Sequence, residues 1–420
     1  MEMVRIVFLT VLVFFVLVTI HEFGHFYFAK RAGILVREFA IGFGPKLFSI
    51  KRGETRFTLR LLPAGGFVRM AGEDPEVVEM QPGQTVGLRV KDGKVTRFYL
   101  DRLDERSQIV RGEIVSLDIE RSLYVTLDVD GETERYDVHP QALIVARGQE
   151  TQIAPRDRQF GSVSTGKRAM AIFAGPMMNF ILAFFLFALY LQLAGVAVEN
   201  SSKVFVSGTE SGMPAAESGL HKGDWIKTVD GETIGGDSTK LVEKIQASAG
   251  KPMEWTVERD GQDVTLRITP DASTGKVGMY LSPETRQAGF VETFKFAGTT
   301  MVDMTGRIFE GFRKLIFGEF KLDDLGGPVR TAEMTGQIAK QGIPELTSWA
   351  AILSLYLGIF NLLPIPALDG SRLLFIGLEA VRGKPVDPNR ESMVHFIGFA
   401  MLMLLMVVVT YNDILRLVKN

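Results

Sequence analysis

The sequence contains no cysteine, which excludes disulfide bonds, thiol nucleophiles and metal sites built on thiolates. Histidine is scarce, so any metal site has to combine His21, His25, His139, His221 or His395 with carboxylates. Neither sign of charge is in large excess, because the formal net charge is -2. We therefore expect no nucleic-acid partner.

Charged residues are also missing from four long apolar runs, at 6–20, 169–198, 346–368 and 392–412. A bilayer core of about 30 Å takes about 20 helical residues, so these runs predict four transmembrane helices. Buried helices of a soluble protein are the alternative, but runs of this length are rare there. A cleaved signal peptide could explain the first run alone, but His21-Glu22 follows it instead of a small-residue cleavage site.

Lysine and arginine next to these runs predict the orientation, since such residues are enriched on the cytoplasmic side. Basic residues flank the end of the first run, the start of the second and the loop between the third and fourth. Residues 30–168 and 369–391 are therefore predicted to be cytoplasmic, with 199–345 and both termini outside. Arg5 opposes this orientation. The prediction is a multi-pass protein of the cell membrane.

Short strands are predicted in the cytoplasmic segment. Two alternating stretches within 55–70 flank the glycines of Pro63-Ala-Gly-Gly66, which predicts a β-hairpin lying at the membrane. A second hairpin is predicted within 114–138, around Asp130-Gly131, with no role that the pattern indicates.

The outer segment is predicted to contain a small α/β domain. Alternating strands flank Asp260-Gly261, and 240–249 has helical spacing. The string 212–231 is similar to the PDZ domains of bacterial envelope proteases, although another small sandwich or barrel would also have glycine turns. Apolar residues from Phe290 to Leu315 then recur every three or four positions, which predicts an amphipathic helix, either packed or interfacial.

The strongest chemical signal is His21-Glu22-Phe23-Gly24-His25, an H-E-x-x-H string on the first predicted helix. Positions four apart share one face, so both imidazoles can hold one zinc ion while Glu22 reaches a water molecule. Ionisable residues in a transmembrane helix are costly unless they have a function. The alternative is a polar helix end bonded to its neighbours.

A third ligand is predicted from Asn361-Leu-Leu-Pro-Ile-Pro-Ala-Leu-Asp-Gly370. Pro364 and Pro366 break the helix, which a membrane tolerates only beside protein or a wet cavity. Asp369 then emerges on the same predicted side as His21 and His25, although it could simply end a helix at the membrane surface.

Together these strings resemble the site-2 protease family of intramembrane metalloproteases. The resemblance rests on H-E-x-x-H in the first run, N-x-x-P-x-P-x-L-D-G in the third and Gly175-Pro-Met-Met-Asn179-Phe in the second. Gly42-Phe-Gly-Pro45 and 62–70 extend it over most of the chain, and one PDZ-like segment places it among the single-PDZ bacterial members.

The resemblance implies one zinc ion held by His21, His25 and Asp369, with Glu22 as the catalytic base. It also implies substrate-binding residues, namely Asn361, Gly65, Gly66, Phe67 and Asn179. The expected substrates are transmembrane segments of single-span membrane proteins, such as anti-sigma factors and remnant signal peptides, cut within the lipid bilayer during regulated intramembrane proteolysis. The oligomeric state stays open.

The predicted fold class is a polytopic α-helical membrane protein with four transmembrane helices, a cytoplasmic membrane-associated β-hairpin region and an extracytoplasmic α/β PDZ domain. The predicted domain bounds are 1–30, 31–167, 168–198 (second span), 199–284 (PDZ), 285–345 (amphipathic helix and linker), 346–370 (third span), 371–391 (loop) and 392–417 (fourth span).

Two other functions compete: a membrane-anchored PDZ scaffold with a non-catalytic metal site, and a transporter or channel. A transporter would need polar residues along a whole route through the bilayer, whereas the polar residues of these spans are predicted to cluster at one depth.

Overall fold

A computed structural model describes residues 2–73, 80–198, 201–210, 212–317 and 326–419. The chain divides into two compact units, the first being Met1–Phe184, Met304–Gln337 and Trp349–Asn420, and the second Phe185–Asp303 and Ile338–Ser348. The helices are α1 (Glu2–Ala32), α2 (Thr165–Ala194), α3 (Pro214–Glu217), α4 (Ser238–Ala247), α5 (Phe290–Ile316), α6 (Pro328–Gln341), α7 (Ile343–Asn361), α8 (Asp369–Arg382) and α9 (Pro388–Lys419).

Strands fill three parts of the chain. They are β1 (Val36–Arg52), β2 (Thr55–Met70), β3 (Thr85–Lys91), β4 (Lys94–Tyr99), β5 (Val110–Asp118), β6 (Tyr124–Val129), β7 (Glu132–Ala146), β8 (Gln149–Gln152), β9 (Val196–Ala197), β10 (Val204–Thr209), β11 (Trp225–Val229), β12 (Glu232–Thr233), β13 (Met253–Arg259), β14 (Gln262–Ile268), β15 (Met279–Pro283) and β16 (Thr285–Arg286).

Four of the described helices are long and apolar enough to cross a membrane, as the four charge-free runs predict. They are Met3–Ala32, Thr165–Ala194, Ile343–Asn361 and Arg390–Arg416. Many side chains of the first and last spans are exposed, Met3, Phe8 and Leu404 among them, which suits contact with lipid rather than with a protein core.

Two predicted spans are too long. The second ends at Ala194 rather than at 198, because Gly195 takes a left-handed φ of 82° and β9 then pairs with β16. The third ends at Asn361 rather than at 370, because Pro364 and Pro366 cannot donate helical hydrogen bonds. The predicted loop 371–391 is also wrong in its first half, since α8 begins at Asp369 and runs to Arg382.

The predicted hairpin within 55–70 does not form. Segment 38–41 of β1 pairs antiparallel with 66–69 of β2 on one side and runs in parallel register with 56–59 on the other. Segment 46–52 pairs with 55–60, so the order across this folded ribbon is 46–52, 55–60, 36–41 and 66–70. The two halves of β2 are therefore separated by β1. The ribbon bends where Gly42, Gly44 and Gly65 adopt φ of 89°, 82° and 121°.

A small barrel follows the ribbon. β4, β3, β5, β6 and β7 pair in that order, and β7 pairs back with β4 in parallel, which closes the ring. Val86, Leu88, Phe98 and Leu127 are among the side chains that fill it. The hairpin predicted around Asp130-Gly131 is confirmed as β6 and β7.

Within the second unit, β14, β13, β11, β10 and β15 form a sheet, in that order. β13 and β14 are joined at Asp260-Gly261, as the sequence predicts, and both turn residues have positive φ. The predicted helix within 240–249 is α4, which Asp237 caps by accepting hydrogen bonds from two backbone amides. Trp255 lies fully buried in the core of this module.

The amphipathic stripe predicted from Phe290 is confirmed as the helix α5. The linker predicted after it falls partly on residues 318–325, which lie outside the described residues.

Candidate metal centre

His21 and His25 lie one turn apart on α1 and face the same point. Their Nε2 atoms are 3.3 Å apart, and their rings meet edge to face with centroids 4.8 Å apart. Both side chains are buried. Because positions four apart share one face of a helix, the two imidazoles lie next to each other on α1.

Asp369 completes the cluster from the first position of α8. Its Oδ2 atom lies 3.3 Å from His21 Nε2 and 3.4 Å from His25 Nε2. This buried oxygen makes no hydrogen bond to any described residue. In the part of the chain that the structure describes, these three residues are the one cluster of His, Asp and Glu side chains that could hold a metal ion.

The separations of these three atoms fit zinc. Bonds of about 2.0–2.1 Å in tetrahedral geometry place neighbouring ligand atoms about 3.3–3.4 Å apart. Two imidazole nitrogens and one carboxylate oxygen are also a donor set that zinc accepts, with a fourth position left for water or substrate. Without a cation, the orphaned Asp369 oxygen would be a costly buried group.

The second nitrogen of each imidazole is held by a neighbour. His25 Nδ1 donates to the carbonyl oxygen of Ala171 at 3.0 Å, which leaves the Nε2 lone pair facing the cluster. Asn179 lies 3.1 Å from His21 Nδ1 through its amide group. Its Oδ1 has no partner among the described residues, and turning the amide over lets Oδ1 accept the proton of Nδ1. Both rings would then present Nε2 to a metal.

Asn179, which the resemblance to the site-2 protease family implies as a substrate-binding residue, lies beside His21 in the structure. The side chain is fully buried against His21, and its backbone carbonyl accepts a hydrogen bond of 2.8 Å from Ser354 Oγ. Asn179 therefore orients a histidine and lies away from any open surface. The sequence indicated a site residue here, but the direction of its side chain depends on how α1, α2 and α7 pack.

Two glycines make room for the histidines, and neither was predicted from the sequence to be part of the site. A Cβ atom on Gly24 would lie 2.2 Å from the carbonyl oxygen of Ala174, so its absence allows α1 and α2 to approach closely. A Cβ atom on Gly175 would lie 2.2 Å from His25 Nε2. The Gly-Pro pair of the second apolar run was the available signal.

The loop that carries Asp369 is fixed by α9. The backbone N–H of Ala367, which has a left-handed φ of 76°, donates to His395 Nδ1 at 3.2 Å. One turn further on, Gly398 packs against Pro366 so closely that a Cβ atom would approach the proline Cβ to 2.2 Å. His395 is one of the five histidines open to a metal site from the sequence, but it contacts this loop instead of the metal cluster.

Glu22 is buried beside the cluster and against the folded ribbon. A Cβ atom on Gly66 would lie 2.8 Å from Glu22 Cγ and 2.7 Å from the carbonyl oxygen of Ala40. Gly65 has a positive φ and lies under the ring of Phe43. The glycines of β2 therefore bring a strand edge against the glutamate.

The other predicted substrate-binding residues, Phe67 and Asn361, belong to the same unit as the metal cluster. Phe67 packs against the guanidinium groups of Arg60 and Arg69, at 5.2 Å and 5.7 Å from its ring centroid. Asn361 is the last residue of α7, and its Nδ2 donates to the carbonyl oxygen of Leu357 at 3.0 Å.

Comparison with known proteins agrees with this site. The chain matches Peptidase family M50 over residues 9–405. Zinc metalloprotease RasP of Geobacillus kaustophilus is 47% identical over 417 residues, covering 96% of each chain. Regulator of sigma-W protease RasP of Bacillus subtilis is 44% identical over 418 residues, covering 97% of each chain.

A more distant relative, the probable protease eep of Enterococcus faecalis, is 39% identical over 97% of this chain and 98% of its own. Among solved structures, the PDZ domain of an SdrC-like protein from Listeria monocytogenes is 23% identical and covers 20% of this chain and 93% of that chain, with a TM-score of 0.18. The family match and the near full-length relatives establish that the chain belongs to peptidase family M50.

Proposed function

We propose that this chain is an intramembrane zinc metalloprotease of the site-2 protease type, acting in regulated intramembrane proteolysis. The observation that carries the proposal is the cluster of His21 Nε2, His25 Nε2 and Asp369 Oδ2, 3.3–3.4 Å apart and next to a buried glutamate. Relatives named zinc metalloproteases support both the cofactor and the reaction.

His21, His25 and Asp369 hold the zinc ion. Bound there, zinc acts as a Lewis acid on the scissile carbonyl group and lowers the pKa of a water molecule towards neutrality. The protein has already fixed the ligands, because Ala171 and Asn179 orient the two imidazoles and the loop ahead of α8 presents the carboxylate. Few side chains have to reorganise when the ion binds, which favours tight binding.

Glu22 is the general base. It follows His21 directly on α1, so its carboxylate lies beside the shared face of the two histidines and within reach of a water molecule that attacks the substrate. It accepts the proton from that water and later delivers it to the leaving amine. Its burial excludes bulk water, which would otherwise compete for the proton.

Segment 66–70 of β2 receives the substrate backbone. It is at one edge of the folded ribbon, and Gly66 contacts Glu22. A transmembrane helix conceals its peptide carbonyls in its own hydrogen bonds, so it has to unwind before cleavage. An extended segment that pairs with this edge recovers the lost hydrogen bonds, with Gly65, Gly66 and Phe67 beneath it and Asn361 holding its backbone.

The substrates are transmembrane segments of single-span membrane proteins, such as anti-sigma factors and remnant signal peptides. One relative is named a regulator of sigma-W protease, which supports membrane proteins that control transcription as one class. The basic residues flanking the spans support a cytoplasmic location for residues 30–168 and 369–391, and hence for the metal centre. The termini and residues 199–345 lie outside.

The module within 199–284 is a PDZ domain that restricts access. Its sheet carries two helices, and Gly219, Gly223 and Gly231 have positive φ at the turns of the PDZ-like string. Together with α5, it excludes substrates whose outer domain has not been trimmed. The other domains have the bounds predicted from the sequence, shortened where the second and third spans end at Ala194 and Asn361.

The test compares wild type, Glu22→Gln and Glu310→Gln, the last being a matched change on an exposed residue of α5. Each is purified, its zinc content is measured, and cleavage of a single-span model substrate is followed in detergent or vesicles. We expect full zinc in all three and a loss of cleavage of at least about 100-fold in Glu22→Gln alone. Equal cleavage by wild type and Glu22→Gln would exclude Glu22 as the base and favour a scaffold.

A further inference from the structure

A large basic cleft lies within the first unit, between the folded ribbon and the barrel. Its volume is about 1100 Å³, and its lining contains eight lysines or arginines but four aspartates or glutamates. Lys46, Lys51 and Arg56 contribute from the ribbon, and Arg106 and Arg147 from the barrel side. The cleft shares no lining residue with the metal cluster, although Arg69 and Met70 of its lining belong to segment 66–70 of β2.

Each of the four acidic residues of the cleft already has a donor, and one of them, Glu150, neutralises a cation of the lining, Arg97. Their partners are Arg158 and Lys30 for Glu54, Arg60 for Glu38, Arg97 for Glu150, and the backbone N–H of Arg147 for Asp101. Arg158, Lys30 and Arg60 lie outside the lining. Glu54 and Glu38 are therefore paired without neutralising a cation of the cleft.

Several cations therefore remain without an acidic partner. Lys46, Lys51 and Arg56 have no carboxylate within ion-pair distance among the residues that the structure describes. Arg106 lies over the ring of Tyr99, and its buried Nε makes no hydrogen bond within the same described set. Like charges held close together repel, so a cleft of this kind is stabilised by a bound anion.

Exposed apolar side chains lie on the same edge segment, 46–52, outside the lining of the cleft. Leu47, Phe48 and Ile50 are 60%, 61% and 53% exposed, and they lie between Lys46 and Lys51 in the strand. A free phosphate or an acidic peptide would leave these apolar side chains in water. A molecule with an anionic head and hydrocarbon chains would cover both the cations of the cleft and these apolar side chains.

The cleft is also level with the end of a membrane span. Glu54, which lines it, accepts a hydrogen bond of 3.3 Å from Lys30 near the end of α1, within the apolar span Met3–Ala32. Phospholipid head groups lie at this depth, and basic pockets on the cytoplasmic side of membrane proteins bind anionic ones.

We propose that the basic cleft binds the phosphate head group of an anionic phospholipid, with its acyl chains along Leu47, Phe48 and Ile50. The binding site goes beyond the protease function and uses only the membrane setting. By occupying the cleft, the lipid screens the repulsion among the cations and fixes the outer edge of the ribbon, whose opposite edge contacts Glu22.

The test measures lipid retained by the full-length protein after purification from vesicles of equal phosphatidylglycerol and phosphatidylcholine. The variant is Lys51→Gln with Arg56→Gln, and the matched control is Lys91→Gln with Lys94→Gln, two exposed lysines at the β3–β4 turn outside the cleft. At about 1 kcal/mol for each basic residue near anionic lipid, removing two should lower retained phosphatidylglycerol about 30-fold, with the control unchanged. Arg147→Gln provides an independent variant, expected to lower it about fivefold.

Zinc content and melting temperature, measured on every variant, separate a lost lipid site from a misfolded protein. Equal retention of both lipids by wild type, or equal loss in variant and control, would overturn the proposal. Inorganic phosphate or a glutamate-rich peptide displacing phosphatidylglycerol at low millimolar concentration would also overturn it, because the cleft would then be a site for soluble anions or acidic peptides.

Discussion

The metal centre and the core of the 201–283 module are both buried, but they are built in opposite ways. The module core is apolar, and its members, such as Val206, Ile226 and Trp255, come from neighbouring strands of one sheet. The metal centre is polar and joins His21 and His25 near the start of the chain to Asp369 near its end. The module core therefore tolerates substitutions that conserve side-chain volume, whereas the metal centre depends on the positions of a few ligand atoms.

Trp255→Ala should have the largest effect on stability, because it empties a fully buried site in the module core. Truncation of a buried aromatic lowers the free energy of unfolding by about 3–5 kcal/mol, so the module should unfold at a lower temperature and become sensitive to proteases. Calorimetry and limited proteolysis measure this, with the exposed Val242→Ala as control. Zinc content should stay unchanged, and a loss of zinc would show that the two regions are not independent.

Gly175→Ala makes the opposite change, since it adds one methyl group at the metal centre. The new Cβ would lie 2.2 Å from His25 Nε2, so the ring has to move away from its partners. Overpacking of about 2 kcal/mol corresponds to about 30-fold weaker zinc binding, measured by competition with a chelator.

Gly377→Ala is the matched control for this change, because Gly377 lies in the middle of α8 and no atom of the described residues is within 4 Å of where its Cβ would be. It should bind zinc like wild type. Equal zinc affinity in Gly175→Ala and Gly377→Ala would mean that the close packing around His25 is not required.

Substitutions of His395 test whether zinc binding requires the hydrogen bond that fixes the loop ahead of Asp369. His395→Phe removes the acceptor for the Ala367 N–H, and we expect about tenfold weaker zinc binding, as for other groups that orient a ligand. His395→Asn keeps an acceptor close to the position of Nδ1 and should restore most of the affinity. Equal weakening in both variants would point to packing rather than to this hydrogen bond.

The smallest expected effect concerns Glu54, which joins the ribbon turn to Arg158 and Lys30. The hydrogen bond from Arg158 lowers the pKa of the Glu54 carboxyl group from 4.5 to about 2. The carboxylate therefore stabilises the fold above pH 4.5, and this contribution is lost as the pH falls from about 4.5 to about 2. Because the pair is partly exposed, its size is on the order of 1 kcal/mol.

Thermal unfolding of wild type and Glu54→Gln between pH 7 and pH 2.5 measures this contribution. Wild type should melt higher at pH 7, and the difference should shrink steadily below pH 4.5. A difference that stays constant over this range would show that ionised Glu54 contributes nothing.

The sequence predicted the parts of the metal centre that depend on local rules. The spacing of His21 and His25 follows from the helical repeat, and Pro364 and Pro366 indicated that the chain breaks just before Asp369. The β13–β14 hairpin was predicted for the same reason, because a two-residue Asp-Gly turn specifies its own partner strands.

The misses all depend on contacts between distant segments. The ribbon was predicted as a local hairpin, but 36–41 inserts between the halves of β2, and no local pattern in 55–70 records that. The contact of Asn179 with His21 was not predicted, because its motif marks a site without giving the direction of the side chain. The role of His395 needs the contact between α9 and the loop before α8.

The central claim is that one zinc ion is shared by His21, His25 and Asp369, and the zinc content of purified Asp369→Asn tests it most directly. Wild type and the control Asp303→Asn, an exposed residue of α5, should each carry one zinc ion per chain. Asp369→Asn should lose most of its zinc to a mild chelator while melting normally. Full zinc occupancy in Asp369→Asn under the same conditions would contradict the account.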